Sequence, residues 1–95
     1  MAIEQAVLAR MCVAVEAGRL VMTEHAVDEM IADNLYEFDL EHCILTGDIT
    51  ETQWDEDFQE WKYVIEGEST DGEALAVVAR FGVHNSVVVI TTFLL

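Results

Sequence analysis

The 95-residue chain has no proline, two cysteines and only four basic residues. Without proline there is no Pro-rich linker, and no repeat or low-complexity tract breaks the chain, so residues 1–95 read as one domain. Lys62, Arg10, Arg19 and Arg80 are too few to form the basic stripe that neutralises a phosphate backbone. Direct nucleic-acid binding is therefore not expected. Cys12 and Cys43 fall in separate helical stretches without metal-ligand spacing. They read as reduced, buried thiols of a cytoplasmic protein rather than a disulfide or zinc framework. No apolar run reaches the length that spans a bilayer. The N-terminus lacks a basic region followed by an apolar stretch and a cleavage site, so neither a membrane partner nor a signal peptide is expected.

What the chain does have is acid and apolar surface. There are 19 Asp and Glu residues, giving a formal net charge of -15, and 53% of residues are hydrophobic. That apolar fraction excludes a disordered acidic tail. Between Glu24 and Glu73 stand 17 acids and one base, Lys62, whereas the last 22 residues hold Arg80 and no acid. An acidic middle between two apolar ends repels polyanions and attracts basic partners. It also keeps a sticky domain soluble.

Ile3 to Ala17 reads as a helix, with Ile3, Val7, Met11 and Ala14 at helical spacing and Gly18 as its stop. Leu8, Cys12 and Val15 make it apolar on its other side too, which points to burial or to packing on another subunit. Leu20 to Met22 is a short extended segment. Thr23 is placed to cap a second helix, and Asn34 suits its left-handed stop. A third helix runs from Glu37 to Thr46 and ends at Gly47. The apolar period then changes to two. Ile49–Trp54 and Trp61–Glu66 are strands joined by the acidic loop "WDEDFQEW". Ala74–Phe81 and Ser86–Leu94 are strands apolar on both faces, hence central or covered. "STDGE" is a tight turn, with Gly72 free to take positive φ. The expected fold is α+β: three N-terminal helices followed by a four-stranded antiparallel β-meander, in two layers.

Four stretches, "TEHAVDEM" (23–30), "LYEFDLEHCILTGDITE" (35–51), "YVIEGESTDGEALAVVA" (63–79) and "VVVITTF" (87–93), resemble the bacterial domain-of-unknown-function family forty-two fifty-eight. That family is similar in turn to the RelE/ParE and BrnT toxins. The resemblance covers residues 20–95 and leaves 1–19 as an extra N-terminal helix. It implies a RelE-like two-layer domain. It also implies basic residues at positions 29 and 33 and after the Asp-Gly turn, with a His a little further on. This chain has Glu29, Asp33, Glu73 and Ala76 there. An RNA-cleaving member needs cations to hold phosphate and to stabilise developing charge, so the substitutions argue against a toxin-type endoribonuclease.

His25 is open to three readings. It can be a partly buried hydrogen-bonding anchor for the second helix, contributing roughly 1–3 kcal/mol. It is a weak candidate for a catalytic acid or base. With Glu29 at i+4 it is also a weak candidate metal ligand, one that needs a third ligand elsewhere. Asp55 and Asp57 match only the first alternating positions of a calcium loop, and "DEDFQE" reads as a solvated hairpin tip. Trp54 and Trp61 are expected to pair across strands, with Trp61 in the core. Ile3, Val7, Met11, Trp54, Phe58 and Phe93 are the candidate interaction residues. No cofactor is expected. The reading that follows is a small non-catalytic protein-interaction domain that forms a homodimer through the first helix or an unguarded final strand. The endoribonuclease and an acidic nucleic-acid mimic that binds a basic protein are the alternatives.

Overall fold

A computed structural model describes residues 2–95. Its elements are α1 (Ile3–Glu16), β1 (Leu20–Met22), α2 (Glu24–Ala32), α3 (Glu37–Thr46), β2 (Asp48–Asp55), β3 (Glu60–Glu68), β4 (Ala74–Phe81) and β5 (Val87–Leu94). The three helices and the β2–β5 meander fall where the periodicity puts them. The sheet, however, has five strands in the order β1-β5-β4-β3-β2, and it is mixed. The expected four-stranded antiparallel sheet is corrected by β1, which pairs parallel to β5 from Leu20↔Val87 to Met22↔Val89. Three residues carry too little pattern to announce a strand whose partner lies at the far end of the chain.

The same pairing covers the first part of the final strand's edge and leaves its apolar end, Thr91–Leu94, beyond it. β1 covers Val87–Val89. Thr23 then donates its N–H to the Val89 carbonyl and its hydroxyl to the Ile90 carbonyl, while α2 packs principally on β5. The Thr23 hydroxyl oxygen also accepts the Ala26 N–H, so one side chain caps the helix and seals the strand edge.

α1 and α3 pack on one face of the sheet, around Met11, Leu40, Ile44, Ile65, Leu75, Val77 and Val89. α1 turns one apolar stripe into its own chain: Val7, Met11, Ala14 and Val15 are buried, Leu8 and Cys12 partly so, and Ile3 and Val13 remain outside. On the other face Val64, Ala76 and Val78 form a small buried cluster. Lys62, Glu66 and Arg80 alternate with them along the strands, and their long stems can cover apolar neighbours while the charges stay in water.

At its C-terminal end α3 crosses very close to β3. A Cβ on Gly47 would lie 2.4 Å from the Glu66 carbonyl oxygen, and one on Gly67 would lie 2.7 Å from the Cys43 carbonyl oxygen. Only glycine at both positions permits this approach. Cys43 is sealed beneath it, with its thiol within hydrogen-bonding reach of both the Ile65 and Leu75 carbonyl oxygens. Among the described residues no helix is long and apolar enough to cross a membrane.

Candidate interaction surface

His25 sits in the first turn of α2, but its side chain is 69% exposed. Its Nε2 lies 2.9 Å from Glu29 Oε1, and the same carboxylate oxygen accepts the Thr91 hydroxyl of β5. The Thr91–Glu29 contact ties helix to strand, whereas His25 touches that tie from outside. The buried-anchor reading of His25 is therefore corrected. The reason is positional: Ala26 points into the core and leaves its predecessor on the solvent side of the helix. No group of three His, Cys, Asp or Glu side chains able to hold a metal occurs among the described residues, so His25 and Glu29 have no third ligand.

The polar residues of the resemblance motifs instead build a lock between α3 and the β3–β4 turn. Asp39 is buried. Its Oδ2 accepts the Tyr36 N–H at 2.9 Å, one of the free donors of the helix start. Its Oδ1 accepts the Thr70 N–H at 3.0 Å and the Thr70 hydroxyl at 2.7 Å. Burial is the largest single influence on this carboxyl group and pushes its pKa up. The hydrogen bonds from Tyr36 and Thr70, with the nearby His42, outweigh it and hold the pKa below the usual aspartate value. In the turn itself, Ser69 Oγ accepts the Asp71 and Glu73 N–H groups, and Gly72 takes φ +83°.

The aromatic residues of the β2–β3 hairpin carry the exposed surface. Trp54 and Trp61 are paired in register, with ring centroids 5.0 Å apart and planes at 67°, an edge-to-face contact. They are 42% and 50% exposed, so the core placement expected for Trp61 is corrected. Alternation does place Trp61 on the helix side with Tyr63 and Ile65, but the hairpin runs beyond the area that α1 and α3 cover. Ile3, 79% exposed, comes from α1 to meet it. Ile3, Glu4, Thr52, Trp61 and Tyr63 line a groove of about 310 Å³.

At the tip, Asp55 Oδ1 accepts the Asp57 and Phe58 N–H groups, and its Oδ2 lies 3.3 Å from Lys62 Nζ. The bond from Phe58 is the main cause of a lowered Asp55 pKa, against a smaller effect of burial, with Lys62 assisting. Both carboxylate oxygens are thus engaged within the hairpin, one by the turn and one by β3. Phe58 is 75% exposed and stands over the other sheet face beside Thr23, Lys62, Arg80 and Ile90.

The structure thus brings together Ile3 and Trp54 of the candidate interaction residues, with Trp61 between them. Val7 and Met11 lie in the core, the latter with no exposed surface. Phe93 is opposite Ala76 on the helix-free face, five residues along the ladder from the level of Phe81 and Trp61, or roughly 17 Å at ~3.4 Å per residue.

A family model described as Domain of unknown function (DUF4258) matches residues 22–94, from the end of β1 to the last strand residue. The chain belongs to this DUF4258 family. No curated protein and no solved structure gives a significant match. The DUF4258 match holds the Asp39–Thr70 lock, the Thr23 seal and the tryptophan hairpin, and it leaves α1 outside. The groove beside Trp61 is therefore built jointly, from a DUF4258 hairpin and the Ile3 end of a helix beyond the matched region.

Proposed function

We propose that this protein is a non-catalytic interaction domain of RelE-like descent that docks a basic protein segment on the Trp54–Trp61 hairpin. One observation carries the reading: both tryptophans of the chain stand together, about half exposed, beside Ile3 and next to the acidic tip Asp55–Glu60. Tryptophan is enriched among residues that dominate binding energy, and its ring face also attracts Arg and Lys side chains. The net charge of -15 favours such a partner at long range. The endoribonuclease alternative is disfavoured by the neighbours of His25, which are Glu29 and, through it, Thr91 rather than cations.

Tryptophan fluorescence of the protein titrated with a short peptide of alternating Arg and Leu tests the proposal. Binding is expected to weaken as salt rises and to fall at least tenfold in Trp54→Ala, while Phe93→Ala leaves it unchanged. Binding that ignores Trp54→Ala overturns the reading. The homodimer expected from α1 is the competing occupant, and sedimentation separates the two. Two acidic copies associate more tightly as salt rises, a basic partner less tightly. Salt-promoted dimers abolished by Ile3→Asp would assign the surface to self-association.

A further inference from the structure

Two of the four basic residues are ion-paired: Lys62 with Asp55, and Arg80 with Glu60 at 3.2 Å. Arg10 and Arg19 have no acidic partner within 4.0 Å among the described residues, although the chain has 19 acids to supply one. These two residues line the same pocket, with Val13 and Asn85 and with no acid in its wall. α1 brings Arg10 there, the α1–β1 connection brings Arg19, and the β4–β5 turn brings Asn85.

Both guanidinium groups are positioned by contacts that leave donors free. Arg10 is held over the Phe81 ring, 4.1 Å from its centroid, and makes no hydrogen bond among the described residues. Arg19 donates only its Nε–H, to the Asn85 carbonyl at 3.4 Å. Stacking and a single Nε bond keep the forked N–H edges available, and these edges match an oxyanion in bidentate fashion.

We propose that this pocket binds a small dianionic ligand through Arg10 and Arg19, recognising a phosphoryl or a dicarboxylate group. Its volume of about 200 Å³ is below the range of drug-sized sites, ~300–1,000 Å³. The surrounding field limits the ligand in the same direction. Charges more than about 10 Å away are screened at ordinary ionic strength, so a small anion seated against the two arginines is shielded from the distant acids. An extended polyanion would also run over the acidic remainder of the surface and be repelled.

The test is a titration of ¹⁵N-labelled protein at about 0.1 M ionic strength with inorganic phosphate and, separately, with succinate, each against sodium chloride at matched ionic strength. Shifts of the Val13, Arg19 and Asn85 amides with at least one dianion are expected. Arg10→Gln and Arg19→Gln should each raise the dissociation constant at least tenfold, and Lys62→Gln should leave it unchanged. Amide spectra of the variants verify that each is folded, and Arg10→Lys, which keeps the charge, should retain part of the affinity. A preference for one dianion identifies the group recognised. Shifts no larger than those caused by chloride, or shifts that persist in the Arg10→Gln/Arg19→Gln double variant, overturn the proposal. An RNA oligonucleotide bound more tightly than either dianion would also overturn it.

Discussion

Replacing Asp39 by alanine should cost this domain about 3 kcal/mol, and the sum can be followed bond by bond. The Tyr36 N–H, at the residue that caps the start of α3, loses its only side-chain acceptor. Losing such a cap costs ~1 kcal/mol. The Thr70 N–H and hydroxyl lose a charged acceptor, at about 1 kcal/mol each once water recovers part of the bonding at this exposed residue. Asparagine should rescue little, because an amide presents one acceptor oxygen where donors approach both carboxylate oxygens, and its NH₂ group would face one of them. Thr70→Val should cost only about 1 kcal/mol, and its effect should largely vanish in an Asp39→Ala background, since the two residues share the same bonds. Urea unfolding followed by circular dichroism measures all four. For a domain of this size the Asp39→Ala loss corresponds to a fall of roughly 12–24 °C in Tm.

The pH dependence has a definite sign. Folding lowers the Asp39 pKa, so its contribution is complete above the unfolded-state value near ~4 and is lost as pH falls through the folded-state value. The gap between wild type and Asp39→Ala should be widest at neutral pH and should narrow below pH ~4. A gap independent of pH, or full stability in Asp39→Asn, would refute the charged-lock argument.

His25→Ala should change stability by no more than about 0.5 kcal/mol, as for other exposed helical ion pairs, and a thermal melt checks this. Gly67→Ala should lose about 2 kcal/mol or more, because its methyl group meets the Cys43 carbonyl oxygen at 2.7 Å, and chemical denaturation would expose a wrong sign. The Cys43 thiol, pushed up to about 12 chiefly by burial and then by Glu66, should resist a disulfide reagent at pH 8 until the protein unfolds. Labelling as fast as that of a free thiol would count against its seal. Purified protein incubated with RNA should leave it intact, and cleavage abolished by His25→Ala would restore the catalytic reading.

Periodicity located the helices and four of the strands because each repeats its pattern over several turns or pleats. It failed where the information was not local. Leu20–Met22 is a strand only because Val87–Val89 offers an edge, and nothing in three residues names that partner. Trp61 follows the inward alternation of β3 yet stays half exposed, since pattern gives the face of a strand and not the reach of the helices above it. His25 drew attention by residue type. Asp39 did not, although the spacing from Tyr36 to Asp39 is that of a helix-start carboxylate reaching back to a free N–H, and that signal was present in the sequence. The Arg10–Arg19 pocket was not legible at all, because it depends on three elements meeting at one end of the sheet.

The parallel pairing of β1 with β5 also sets an order on assembly. Leu20 and Val87 are neighbours in the sheet but lie at opposite ends of the sequence. The β2–β3–β4 ladders join strands that follow one another, so they close short loops and can form early. β1 has no sheet partner until β5 has been made. A chain that has grown only through β4 therefore leaves β1 unpaired and the β5-side edge of β4 open, together with a Thr23 that has no carbonyl to seal. The acidic middle of the sequence lies within that unfinished intermediate, where its charge opposes sticking between growing chains before the sheet is complete.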